Sequence, residues 1–382
     1  MTYGVYSPGR QVSQRLQEHF ARHLRDGDIP AVAAIQFAAP VPPLEAIDAL
    51  IDAAFWTSLR REEGYVPKIS LALLPPDATP QPLRFERPLA LAPAVLAKVA
   101  PAVERAGIHL AVWSGPDGWT VWGTTRVLPR YSMVLEVTAP GVLVVKQHRG
   151  GEHTKYTNVA VLEADQVKIV DENASSLPDC PSLLTSLLGF DAPGSWGDSV
   201  NVLVQLAVSM RAHGRGGLML IVPRDSEEWR ASIVPPILYA LHPAYEELTS
   251  LMRLASEKRD DELWRDALAR SVNAIAGLTA VDGATLLTDD HALLAFGAKI
   301  VRRRGSPPVE QVTVTEPIEG GIPQVLAPTE LGGTRHLSAA QFVHDQRDAV
   351  ALVASQDGRF TVFAWSPCEK MVHAHRVETL LL

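Results

Sequence analysis

Charge is scarce in this sequence. Asp, Glu, Lys and Arg make up 20% of its 382 residues, and acidic residues outnumber basic ones by 43 to 35. The net charge of −8 leaves no broad basic surface, which argues against DNA or RNA as a general partner. Cysteine is scarcer still. Cys180 and Cys368 are the only two, far apart, and this excludes a disulfide framework or a cysteine zinc site. No run of about 18 apolar residues occurs, so no membrane-spanning helix is expected. Met1 to Arg10 has no apolar stretch of the secretion-signal kind, so the expectation is a soluble, cytoplasmic protein. Apolar residues are plentiful. At 47% hydrophobic the chain can fill large cores, and 29 prolines with 26 glycines cut it into short elements, so two domains are expected.

Hydrophobic spacing places the elements. Arg10 to Leu24 carries Val12, Leu16, Phe20 and Leu24 on one helical stripe. His19 and His23 lie four apart on it without a third ligand, which reads as a solvated face rather than a metal site. Ala31 to Phe37 reads as a strand, Pro43 to Leu59 as a helix and Lys68 to Leu74 as a strand. A proline-rich connector, Pro75 to Pro88, then leads to a helix at Pro93 to Ala106. Ile108 to Trp113 and Thr120 to Thr124 flank the hairpin signal Gly115-Pro116-Asp117-Gly118, and Trp113, Trp119 and Trp122 read as sheet packing rather than base stacking. Further strands are expected at Tyr131 to Val137, Gly141 to Lys146, Tyr156 to Leu162 and Gln166 to Val170. A helix at Asp198 to Ala212 precedes a buried strand, Leu218 to Val222. Between them, His213-Gly214-Arg215-Gly216-Gly217 runs from helix to strand, the reverse of a phosphate loop, and reads as a structural turn. No internal repeat is evident.

Pro223-Arg224-Asp225-Ser226 and Pro235-Pro236 break the apolar pattern, so the domains are expected at 1–238 and 239–382. Tyr245 to Glu257 and Asp261 to Ala276 read as helices. They lead to Asp282-Gly283-Ala284, then to strands at Ala284 to Leu287 and Ala292 to Phe296. Lys299 and Arg302-Arg303-Arg304 read as a solvated charge run. About fifty residues beyond Asp282, Gly333-Thr334-Arg335-His336 opens a helix that continues through Ser338 to Phe342. Backbone N–H groups at a glycine-led helix start bind anions, and the adjacent Thr and Arg add donors. A carboxylate beside small residues, with this cradle downstream, suits a nucleotide. His373 and His375 alternate on a strand, too few for a metal.

These motifs resemble the diadenylate cyclase (DAC) domain family, which carries Asp-Gly-Ala, then Gly-Thr-Arg-His-Arg, then a strand ending in Ser-Glu before a hairpin. The resemblance covers roughly 240–368, with Ser355-Gln356 as the third piece, and the whole chain resembles DAC-related proteins with a probable sensor domain of the DACNV type. It implies an α/β fold: an N-terminal mixed α/β region and a C-terminal DAC-like domain with a central mixed sheet flanked by helices. The implied nucleotide-binding residues are Asp282, Gly283, Ala284, Gly333, Thr334, Arg335, His336, Ser338, Ser355 and Gln356. Asp282 would meet a metal, Mg or Mn accompanying the nucleotide. Two departures stand out: Leu337 replaces the second Arg and Gln356 replaces Glu. They favour a sensor that binds an adenine nucleotide or cyclic dinucleotide and signals to an effector protein. The alternatives are an active diadenylate cyclase, which works as a homodimer with Asp282 catalytic, and an interaction module with a vestigial pocket.

Overall fold

The computed structural model describes residues 4–26, 39–80, 82–105, 107–116, 118–149, 156–171, 202–254 and 262–382. The expected strand at Ala31 to Phe37, the start of the helix at Asp198, and Cys180 lie outside the described residues. The chain divides into two compact units, Met1–Val170 with Leu382, and Asp171–Leu381.

In the N-terminal unit, α1 (Ser7–Asp26) buries the expected stripe of Val12, Leu16 and Phe20. Its neighbour α2 (Leu44–Ser58) buries Ile47, Leu50, Ile51 and Ala54. Both pack on one face of a sheet built from β1 (Ser70–Leu73), β2 (Leu83–Ala90), β3 (His109–Gly115), β4 (Gly118–Thr125), β5 (Met133–Ala139), β6 (Val142–His148), β7 (Tyr156–Glu163) and β8 (Gln166–Ile169). The strand order is β2-β4-β3-β1-β5-β6-β7-β8, and β1–β3 is the parallel pair. A short helix, α3 (Pro93–Val99), links β2 to β3. It ends before the expected Ala106, because the turn that follows contains Pro101, which cannot donate to a helical ladder. The expected connector at Pro75 to Pro88 is in part a strand. β2 is a largely exposed edge that pairs with β4 alone, the position where a sheet tolerates proline.

The C-terminal unit begins its described part with α4 (Val202–Ala212) and the fully buried β9 (Gly217–Val222). Then come β10 (Tyr239–Tyr245), α5 (Glu247–Met252), α6 (Glu262–Leu278), β11 (Ala284–Thr288) and β12 (Leu293–Ala298). An arm follows with β13 (Val312–Thr315), β14 (Gln324–Leu326), α7 (Pro328–Leu331) and α8 (Thr334–Asp345). The chain closes with β15 (Val350–Ala354), β16 (Phe360–Ser366) and β17 (Met371–Arg376). Strand order is β10-β12-β11-β9-β15-β16-β17-β13-β14. Helices α4 and α6 cover one face through Leu206, Met210, Trp264 and Val272, and α8 covers the other through Ala339, Phe342 and Val343. Phe342 is fully buried, and truncating such a side chain to Ala costs about 3–5 kcal/mol.

The units divide at Val170, not at the expected 238/239. The reason is β9. It is an interior strand of the second sheet, parallel to β11 and antiparallel to β15, so everything from it onward shares the C-terminal core. Tyr245 ends a strand rather than beginning a helix, and the helix expected there is the short α5.

A repeat that the residues conceal is plain in the topology. β2-β4-β3-β1-β5-β6-β7 and β10-β12-β11-β9-β15-β16-β17 follow one order, with the parallel pair in the same place. The hairpins β5–β6 and β15–β16 each turn through a left-handed glycine, Gly141 at φ +72° and Gly358 at φ +85°. The copies differ in the link from the fourth to the fifth of these strands in chain order. It is residues 126–132 in the first and the arm, residues 299–349, in the second. No helix among the described residues is long and apolar enough to cross a membrane.

Candidate functional site

The site forms where α6, β9, β11 and the arm meet. After α6 ends at Leu278, one turn leads to Asp282, and Gly283 enters β11. Gly283 has φ +117°, and a Cβ there would lie 2.5 Å from the Gly297 carbonyl carbon and 2.9 Å from the Ala298 oxygen. Only glycine allows β12 this close. Ala284 is opposite Ala298, so Asp282 before β11 and Lys299 after β12 come out side by side. Lys299 Nζ lies 2.5 Å from Asp282 Oδ2. The hydrogen bond from Lys299, then its charge, hold the Asp282 carboxyl below its ordinary value, and the charge of Arg335 adds to this.

Arg335 occupies the first turn of α8. The N-cap is Gly333, extended and without a side-chain cap, so the Thr334 and Arg335 N–H groups stay available to an anion, while the His336 N–H donates to the Gly333 oxygen at 3.0 Å. The guanidinium rests against the turn before β9. A Cβ on Gly216 would lie 3.0 Å from Arg335 Nη1, 3.3 Å from the Ala354 oxygen and 3.4 Å from Gln356 Cγ. Gly216 is left-handed at φ +73°, a backbone conformation that favours glycine. Gln356 Nε2 donates to the Arg215 oxygen at 3.4 Å. Arg335 has no ion pair among the described residues, an unusual state for a half-buried cation.

The sequence-predicted residues thus separate. Asp282, Gly283, Arg335 and Gln356 gather at one edge, with Thr334 exposed beside them. Ser355 lies in the adjoining hairpin turn, its N–H bonded to the Arg359 oxygen at 2.9 Å. Ala284 is buried in the sheet. His336 points inward, packing edge-on to Phe363 with centroids 6.0 Å apart, and burial pulls its pKa down. Its role is packing under the helix start. Ser338 lies one turn on and is half-buried, whereas Leu337 is exposed.

Sequence reading missed Gly216, Arg215 and Lys299 as neighbours of this edge. The glycine-rich piece at 213–217 is a structural turn, as expected, but one that backs the Arg335 guanidinium. Lys299 belongs with Asp282 rather than with the basic run. Arg303 is elsewhere: its N–H donates to Asp345 at 2.8 Å, and it lines a groove of about 580 Å³ at the far end of β9 with Pro223, Trp229 and Arg347.

The donor set does not suit a resident metal. Asp282 is a single carboxylate already engaged by Lys299, Gln356 is neutral, and no group of three ligating residues occurs among the described residues. The histidine pairs have other tasks. His373 Nε2 lies 2.8 Å from Glu369, and His375 Nδ1 lies 2.7 Å from Thr315 Oγ1, with burial pushing His375 down to about 3. His19 is buried rather than solvated, its ring 4.4 Å from that of His23. Trp122 packs in the sheet and donates to the Leu74 oxygen at 3.0 Å.

Residues 36–126 match the family described as "Probable sensor domain DACNV". The match ends with β4, and over this stretch the resemblance to DACNV-containing proteins is borne out. No curated protein sequence matches the chain. Among solved structures the chain is similar to a hypothetical membrane spanning protein from Bacillus cereus, at 15% identity over 45% of this chain and 61% of that one, with a TM-score of 0.25. It therefore spans about three fifths of that protein. It is also similar to a double mutant of DacA from Staphylococcus aureus, at 13% identity over 45% of this chain and 83% of that one, with a TM-score of 0.22.

Proposed function

We propose that the chain is a nucleotide-sensing protein whose C-terminal unit binds an adenine nucleotide or a cyclic dinucleotide at the edge between Asp282 and Arg335. One observation carries this reading. Arg335, without an ion pair, stands at the uncapped start of α8, against Gly216 and Gln356, and within electrostatic reach of Asp282. Such an edge offers backbone N–H groups and a guanidinium to phosphate, with a carboxylate on the opposite rim. The sensor-domain match at residues 36–126 supports a signalling role, with an effector protein downstream.

Catalysis is thinned in this reading. Leu337 and Gln356 remove charge from positions where the resembling cyclases carry Arg and Glu, and Lys299 neutralises Asp282. A Mg or Mn ion would arrive with the nucleotide's phosphates, and Asp282 would be the one carboxylate to meet it. The retention of Asp282 and Arg335 favours a second reading, an active diadenylate cyclase joining two ATP molecules across a homodimer.

Isothermal titration of the full chain with ATP and with cyclic di-AMP, with and without Mn²⁺, tests the proposal. Saturable binding of one of them supports the sensor; binding of neither overturns it. Cyclic di-AMP formed from ATP, separated by chromatography, would move the assignment to the enzyme.

A further inference from the structure

The N-terminal unit has a cavity of about 660 Å³, and the repeated topology fixes where it lies. In the first sheet Leu71 stands between Leu110 and Leu135; in the second Met219 stands between Thr285 and Leu352. Leu71 and Met219 both face the helix-covered side. Matching these rows puts Lys68 where Gly216 stands, three residues before the central residue in each sheet. Gly107 falls where Asp282 stands, and Thr138 where Ser355 stands. Lys68, Gly107 and Thr138 all line the cavity. The N-terminal copy therefore has an opening at the position of the C-terminal candidate site, although it lacks the arm that carries Arg335.

The lining has its own chemistry. Lys68 and Arg105 stand exposed at the rim without an ion pair among the described residues, and Glu104 is also exposed on the lining. Deeper in, Lys146 pairs with Glu136 at 2.6 Å, both largely shielded from solvent. Ser70 Oγ lies 2.7 Å from His109 Nδ1, and His109 Nε2 lies 2.8 Å from the Tyr156 hydroxyl, a chain of hydrogen bonds running to the cavity wall. Burial pushes His109 down to about 4 and raises the Tyr156 hydroxyl above its ordinary value, so this row is neutral at pH 7. Thr138 Oγ1 is buried at the cavity with no hydrogen-bond partner, and an unpaired buried hydroxyl is costly unless something fills it. Cations at the rim, an ion pair and neutral polar groups inside, and one hydroxyl awaiting a partner describe a built site.

We propose that this cavity binds a small organic anion, its phosphate or carboxylate group held by Lys68 and Arg105 and a polar group accepted by Thr138 and Glu136. The N-terminal unit would then sense a ligand of its own. This inference does not depend on the nucleotide reading of the C-terminal unit.

The test uses full-length Arg335→Ala protein, in which the C-terminal edge is disabled, titrated with AMP as the phosphate probe and citrate as the carboxylate probe. At least one probe should bind saturably, and which one does identifies the anion class. Adding Lys68→Ala and Arg105→Ala should weaken that binding by about tenfold or more, since charge-assisted hydrogen bonds are lost. Thr138→Val, which keeps shape and removes the hydroxyl, should weaken it by a smaller factor. Both rim side chains are exposed, and circular dichroism would verify the fold. Binding of neither probe, or binding indifferent to the rim pair, overturns the inference. Equal ATP binding by wild type and Arg335→Ala would instead count against the C-terminal reading and leave this one standing.

Discussion

Replacing Gly283 by Ala should unfold the C-terminal unit well before the N-terminal one. Two costs combine. At φ +117° an L-residue is strained, at roughly 1–2 kcal/mol for left-handed backbone. The new Cβ would also lie 2.5 Å from the Gly297 carbonyl carbon, 2.7 Å from its oxygen and 2.9 Å from the Ala298 oxygen. These are backbone atoms of a paired strand that cannot rotate away, and such overpacking costs about 1–3 kcal/mol more. The sum is about 3 kcal/mol, which for a unit of this size lowers the midpoint by roughly 10 °C. Calorimetry would resolve the transition, with two controls in the same unit. Gly320 is left-handed at φ +74° but faces open space, so Gly320→Ala should pay the backbone term alone, about 1 kcal/mol. Gly277 is helical with nothing near, so Gly277→Ala should stabilise by about 0.5–1 kcal/mol. If Gly283→Ala melts with Gly320→Ala, the close approach of β12 does not constrain the Asp282 turn, and the reasoning fails.

Arg335→Ala should weaken ATP binding more than Arg303→Ala, because the Arg303 guanidinium lies at the other end of β9, 3.8 Å from Glu228; titration showing equal losses would refute the assignment of the cradle. Leu337→Arg with Gln356→Glu should raise cyclic di-AMP formation, and more than either single change, with each restored charge worth about 3 kcal/mol, or on the order of a hundredfold. Chromatography would check it, and a wild type as active as the double variant would remove the main support for thinned catalysis. The N-terminal unit should lose stability on acidification. His109 sits at about 4 when folded against 6.5 ordinarily, so the unfolded chain binds more protons between these values. The contribution, about 3 kcal/mol, is complete above pH 6.5 and lost as pH falls towards 4. His109→Gln should flatten the midpoint-against-pH curve over that window; an unchanged slope would show that another group carries it.

Much of the scaffold was legible in the residues. The stripe Val12, Leu16 and Phe20 marks α1, and the apolar run Leu218 to Val222 marks a strand buried on both faces. The edge strands were not. β2 contains Pro88 and β10 contains Pro243, and both lie at sheet edges where one side needs no hydrogen bonds, so their sequences look like connectors. At the site, local motifs located Asp282 and Arg335, since each lies at a break with its own signature. What the motifs could not show is which third segment meets them. Gly216 reaches Arg335 only through the pairing of β9 with β15, a long-range fact absent from any window. The repeat escaped notice for a similar reason. It persists in strand order and register, while residues at matched places, such as Gly107 and Asp282 or Lys68 and Gly216, differ in chemistry.

The interior position of β9 has a consequence during synthesis. It is the first strand of its sheet to emerge from the ribosome, yet Met219 must wait for Thr285 on one side and Leu352 on the other. Its counterpart β1 waits only from Leu71 to Leu135. For most of translation, Gly217-Leu218-Met219-Leu220-Ile221-Val222 is an uncharged, sticky ribbon with both edges open, the kind of segment that aggregates or recruits chaperones. Nascent chains stalled between Thr288 and Val350 should therefore be the form of this protein most dependent on chaperone holding.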